Sequence, residues 1–147
     1  MINSFAGEYA FLSNFYPSPI SIVESEDEQF IAKTVEHYFQ YMKTPSTEEG
    51  FGILNASTPG EAKRLGRKCF IRDDWEEVKN QVMLNALRKK FSNPELKQKL
   101  LDTGAEFLVE GNHWNDTYWG VCEGKGRNML GTLLMQVREE LKNGTNN

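Results

Sequence analysis

The chain has 147 residues, 39% hydrophobic and 26% charged, the profile of one ordinary globular domain able to fold without a disulfide or metal staple. Its formal net charge of −4 excludes the strong basic field of a non-specific nucleic-acid binder and favours a small molecule or one extruded nucleotide. No apolar run approaches the ~20 residues of a membrane helix, the start lacks a signal peptide's pattern, and Cys69 and Cys122 form no disulfide framework; a reducing cytoplasm is expected.

In chain order, residues 19–23 and 29–34 read as a hairpin around the solvated acidic turn 24–28. Val35, Tyr38, Phe39 and Met42 recur at helical spacing, one apolar face of a helix that starts near Thr34. Thr58-Pro59 caps a helix running to about residue 68. Asp73 with Glu76 resembles a capping box for the longest helix, 74–91. The inward stripe of that helix is Trp75, Val78, Val82, Met83, Ala86, Leu87 and Phe91. Asn93-Pro94 starts a further helix with Leu96, Leu100 and Leu101 inward, and Gly104 stops it. Residues 105–110 and 118–122 read as short strands around a polar loop. A last helix, 128–141, buries Met129, Leu130, Leu133, Leu134, Val137 and Leu141. The fold expected is α+β and predominantly helical, one compact domain over 1–142 with a small β-sheet, followed by a flexible tail at 143–147.

Three constellations could carry chemistry. Glu36, Gln40 and Lys43 fall along a second helix face, with the acid and the cation about 10 Å apart along the axis. That face is either solvated or able to bracket a nucleotide, and His37 reads as structural. The loop 110–120 concentrates Trp114, Tyr118 and Trp119 with Glu110 and Asp116, which suits base stacking and the handling of water or ribose hydroxyls; the alternative is a packed turn. Gly124-Lys-Gly-Arg-Asn128 approaches a helix N-terminus, where free N–H groups and the charge of Lys125 and Arg127 could hold an anion, although a plain turn fits equally. His37, His113, Cys69 and Cys122 show no metal-ligand spacing, and no nucleophile motif is present. No metal and no cofactor are expected.

In this order the segments resemble the NADAR family of YbiA-like N-glycosidases. The resemblance rests on Phe11-Leu-Ser-Asn-Phe15, Glu36-His-Tyr-Phe-Gln40 with Lys43, Ala62-Lys63 with Gly66-Arg67, and Asp74-Trp75. Further along it rests on Met83, Lys90-Phe91, Leu108-Val-Glu110, Asp116 with Trp119-Gly120, and Gly126-Arg-Asn-Met-Leu-Gly131 followed by Leu134-Met135 and Arg138. It implies hydrolysis of N-glycosidic bonds in ribose-phosphate or ADP-ribose conjugates, such as phosphoribosylated amines or ADP-ribosylated nucleobases. The implied pocket holds Asn14, Glu36, Lys43, Trp75, Glu110, Asp116, Trp119 and Asn128, with Gly120 and Arg127 as further binding positions. The connection from Gly120 to Gly126 is shorter here than in many members, which favours the general substrate class over one named metabolite.

In this reading Glu36 is the base or oxocarbenium stabiliser, and Glu110 or Asp116 orients water or ribose hydroxyls. Trp75 and Trp119 stack, and the 124–128 segment takes phosphate. Lys43 opens a second route, a Schiff base with the sugar aldehyde. The alternative class is a non-catalytic ADP-ribose or NAD-binding module. The partner in either case is nucleotide-like, with no membrane and no strong non-specific nucleic-acid binding.

Overall fold

A computed structural model describes residues 1–144, and the chain forms a mainly helical α+β structure. It folds into two units, Asn14–Lys90 and the segment Met1–Ser13 with the chain from Phe91 on.

In the unit of residues 14–90, strands β1 (Ile20–Val23) and β2 (Gln29–Ala32) make the expected antiparallel hairpin, with Ile20 opposite Ala32 and Val23 opposite Gln29. Ile20, Ile22 and Ala32 point inward. Helix α1 (Val35–Tyr41) follows, capped by the Thr34 side chain, which accepts from the His37 N–H at 3.1 Å. Every residue of α1 is buried, because α2 (Glu48–Leu54), α3 (Pro59–Gly66), α4 (Trp75–Lys90) and β2 all pack on it. Helix α1 ends before Lys43: Met42 is its C-cap, and Thr44 precedes Pro45, which biases that residue away from helical geometry. Lys43 therefore stands in a turn and not on the helix face that its spacing suggests.

Helix α2 is not among the expected elements; Thr47 caps it by accepting from the Gly50 N–H at 2.9 Å. Thr58 caps α3, with Pro59 at its first turn. At α4 the expected capping box gives way to ion pairs, Glu76 with Lys79 and Asp74 with Arg72. The inward stripe of α4 holds Trp75, Val82, Met83, Ala86 and Leu87, and Leu84 and Lys90 join them.

In the other unit, a 3-10 turn at Gly7–Leu12 buries Phe11 and Leu12. Helix α5 (Pro94–Asp102) is capped by Asn93 and packs on α6 (Met129–Lys142). Gly104, at φ +62°, follows the end of α5. Residues 105–110 do not form the expected strand; β3 (Gly111–Asn112) follows them, and the strand expected at 118–122 shortens to β4 (Val121–Cys122), the two pairing in parallel over two residues each. Leu108 instead bridges Ile2, and neighbouring backbone groups are taken by the Asn128 side chain. Asn143 and Gly144 close α6 through N–H bonds to Glu139 and Leu141; the rest of the expected tail, 145–147, lies outside the described residues. Among the described residues no helix is long and apolar enough to cross a membrane.

Candidate functional site

Glu36 enters α1 in its first turn, and its N–H donates to the Asn14 carbonyl at 3.1 Å. Its side chain is 7% exposed, and Gln40, one turn later and 4% exposed, donates from Nε2 to Glu36 Oε2 at 2.6 Å. The close packing of α1 on α3 fixes that amide. A Cβ at Gly66 would overlap the Gln40 Oε1 atom and lie 2.7 Å from its Cδ, so only glycine leaves room for it. Among the described residues Oε1 itself, which is buried, has no hydrogen-bond partner, and neither has the buried Asn14 Oδ1; Asn14 Nδ2 points at the Met83 sulfur, 3.7 Å away.

Lys43 reaches the end of α3, where Nζ lies 3.5 Å from the Gly66 carbonyl. Burial holds its ammonium below the usual lysine range; Cys69 and Glu36 oppose that shift, and Arg67 and Lys63 add to it. The Cys69 thiol, itself 3.4 Å from the Gly66 carbonyl, is pushed up chiefly by burial. His37 is structural, as its pattern suggests. Its Nε2 meets the Ala56 carbonyl at 3.0 Å and its Nδ1 the Thr34 hydroxyl at 2.8 Å, and burial lowers its pKa. Trp75 lies in the core, 7% exposed, with its ring tilted against Phe39 at 4.9 Å. That position leaves little face for a ligand to stack on.

The other unit holds the remaining expected residues. Asp116 folds the loop, since its Oδ1 accepts from the N–H groups of Tyr118 at 3.1 Å and Trp119 at 2.9 Å. Asn112 donates to Glu110 Oε2 at 3.0 Å and to the Asp116 carbonyl at 2.9 Å. Gly120 is required here because a Cβ would overlap the Glu110 backbone carbonyl oxygen. Trp119 is half-buried, edge-on to Tyr118 at 4.9 Å, while Trp114 is exposed. Asn128 sits in left-handed geometry at φ 52°. Its Oδ1 takes the Glu110 N–H at 2.9 Å and its Nδ2 donates to the Leu108 carbonyl at 2.8 Å. The Asn128 amide thus ties the start of α6 to the chain before β3.

The anion site expected at the start of α6 is closed. The N–H groups of Asn128, Met129 and Leu130 donate to the carbonyls of Gly120, Tyr118 and Trp119, so the loop spends the donors that a phosphate would need. Arg127 is exposed and stacks over Tyr118 at 5.4 Å. Among the described residues no three His, Cys, Asp or Glu side chains gather closely enough to hold a metal ion. The structure therefore brings Glu36, Lys43 and Asn14 together in one unit, and groups Glu110, Asp116, Trp119, Gly120 and Asn128 in the other. Sequence spacing missed the anchoring role of Gln40, although an amide four residues after an acid on a helix is a readable signal. It also missed the cations Lys63 and Arg67 around Lys43.

The model of the NADAR domain matches residues 3–142 and runs through both units. The chain belongs to the NADAR family. Among the relatives of this NADAR chain is the N-glycosidase YbiA of Escherichia coli, 42% identical over 142 residues, covering 94% of this chain and 85% of that protein. An N-glycosidase of Nostoc punctiforme is 41% identical over 142 residues, covering 92% and 87%. The chloroplastic riboflavin biosynthesis protein PYRR of Zea mays is 40% identical over 143 residues, 88% of this chain but 23% of that longer protein. The NMR structure of E. coli YbiA superposes with a TM-score of 0.81 at 39% identity, over 98% of this chain and 88% of that one.

Proposed function

We propose that this NADAR protein is a hydrolase that cleaves the N-glycosidic bond of ribose-phosphate or ADP-ribose conjugates, with Glu36 and Lys43 at its chemical centre. The observation that carries the reading is the buried Glu36 carboxylate, held by Gln40 at 2.6 Å and electrostatically coupled to a half-buried lysine. Burying an ionisable acid costs several kcal/mol unless it is well partnered; such a cost is commonly met where the acid does chemistry. The relatives named N-glycosidase support the bond class, and the maize relative's part in riboflavin biosynthesis supports a ribosylated amine as one substrate.

In the direct route, water attacks the anomeric carbon as the C–N bond breaks with its electron pair leaving on the base nitrogen. Glu36 takes the water's proton, and its negative charge faces the oxocarbenium that develops. Lys43 favours the anionic carboxylate. A second route is favoured by the burial of Lys43, which pushes its ammonium towards the neutral form. A neutral amine there can attack C1′, expel the base and form a Schiff base with the opened sugar, which water then hydrolyses.

Incubation with a ribosylaminopyrimidine phosphate and with ADP-ribosylated guanosine, read by chromatography of the released base, tests the activity. Glu36→Gln should keep product binding and lose about 10²–10⁴ in rate. Near wild-type turnover by Glu36→Gln, with Lys43→Arg inactive and borohydride trapping a sugar on the wild type, would replace the direct route by lysine chemistry. Micromolar binding of ADP-ribose without turnover of either conjugate would support the binding-module alternative.

A further inference from the structure

We infer that the C-terminal end of α3 is the phosphate-binding subsite of this enzyme, built from Lys63 and Arg67 with Lys43 beside them. The inference deepens the glycosidase reading and rests on it for the place of the sugar. Lys63 and Arg67 stand four residues apart at the last turn and C-cap of α3, so they fall one above the other on one side of the helix. Two neighbouring arginines are engaged elsewhere. Arg64 donates to both carboxylate oxygens of Glu61, at 2.8 and 2.5 Å, and Arg72 pairs with Asp74 at 2.6 Å. Among the described residues neither Lys63 nor Arg67 has an acidic partner at ion-pair distance.

Cations at a helix C-terminus are favourable by about 0.3–1 kcal/mol each, which accounts for the basic composition of this stretch. The same attraction brings a third cation to this helix end, Lys43. That lysine comes from a different element, is half-buried, and meets the same helix end at the Gly66 carbonyl, next to Arg67. Like charges gathered there oppose one another, and a bound anion removes the conflict. A ribose 5-phosphate carries its phosphate at the opposite end of the sugar from the anomeric carbon. A sugar whose C1′ meets Glu36 and Lys43 therefore offers its anion to the next cations along. Arg67 presents a planar fork suited to two phosphate oxygens, and Lys63 a point charge. The other anion site suggested by the sequence, at the start of α6, has its N–H groups taken by loop carbonyls.

Calorimetric titration of wild type, Lys63→Met, Arg67→Gln and the double variant with ADP-ribose tests the subsite. Each single change should weaken binding about tenfold, the scale of one charge-assisted hydrogen bond, and the double change should weaken it further. KM for a phosphoribosyl substrate should rise in step while kcat stays within about twofold, because these cations hold the end of the substrate that does not react. Arg64→Gln, on the same helix but paired with Glu61, is the control and should bind like wild type. Lys63 is half-buried and Arg67 exposed, and a thermal melt confirms that each variant is folded. Unchanged ADP-ribose affinity in the folded double variant overturns the assignment. So does an equal loss of affinity for the dephosphorylated riboside, or failure of the wild type to bind ADP-ribose. If the wild type binds ADP-ribose but turns over no N-glycoside, the hydrolase reading fails, and the titration series alone decides the subsite.

Discussion

Gln40 spends one half of its amide to secure the other. Among the described residues its oxygen, buried beside Gly66, has no hydrogen-bond partner, a loss worth about 1–3 kcal/mol. Its N–H meets the Glu36 carboxylate at 2.6 Å, a charge-assisted bond about twice as strong as a neutral one. Turning the amide over would set oxygen against oxygen. Gly66→Ala should therefore displace Gln40 and release the Glu36 carboxylate, lowering kcat about tenfold or more, with an overpacking cost of about 1–3 kcal/mol. A double-mutant cycle checks it: Gly66→Ala added to Gln40→Ala should cost little more rate than Gln40→Ala alone, and additive losses would contradict the coupling. The two tryptophans differ in kind. Trp75, 7% exposed against Phe39, should lose about 3–5 kcal/mol of stability on change to Ala. Trp119 is half-buried, so Trp119→Ala should cost clearly less stability than Trp75→Ala; urea denaturation of the two variants separates them.

Among the elements, α6 depends on a residue that is not itself helical. Asn128 holds left-handed geometry and bonds both Glu110 and Leu108. Asn128→Ala should cost about 2–4 kcal/mol, from one buried and one part-buried bond and a strained φ, visible as a lower urea midpoint. Elements with caps and periodicity were the legible ones: the hairpin around its acidic turn, α3 behind Thr58-Pro59, α5 behind Asn93-Pro94, and the apolar stripe of α6. Helix α2 was not legible because Gly50 and Gly52 dilute its pattern and each costs a helix about 1 kcal/mol. What sustains it is tertiary contact: Gly50 sits where a Cβ would overlap the Thr44 carbonyl. The polar face of α1 reads as solvated or ligand-facing from spacing alone. It is buried because α2, α3 and α4 enclose the helix, which no local period encodes. The family resemblance named Glu36 and Lys43, but only packing reveals what holds them. It also assigned Asp116 and Asn128 to the pocket, and the structure shows their side chains bonding backbone groups of the loop and of the chain before β3.

For the molecule as a whole, the dependence of stability on pH carries a signature from one buried cation. Lys90 is 1% exposed in the unit of residues 14–90, with its amine 5.7 Å from the centre of the Tyr16 ring. Burial lowers its pKa from 10.5 to about 7. Between those two values the unfolded chain holds a proton on this lysine that the folded chain has released. Stability therefore rises with pH from about 7 towards 10, and below 7 the folded state bears the full cost of a buried ammonium. Other groups overlap this window. Lys43, also lowered, acts in the same direction, whereas Cys69, Tyr38 and Tyr41, all raised by burial, withdraw stability as the pH climbs past their ordinary values. Lys90→Met keeps the length of the side chain and removes the titrating amine together with its contact over Tyr16. Urea unfolding of wild type and variant at steps between pH 7 and 9.5 isolates its share. The wild type should gain on the order of a few kcal/mol relative to the variant across that range. Parallel curves would mean that the Lys90 ammonium is as well solvated in the folded chain as in the unfolded one.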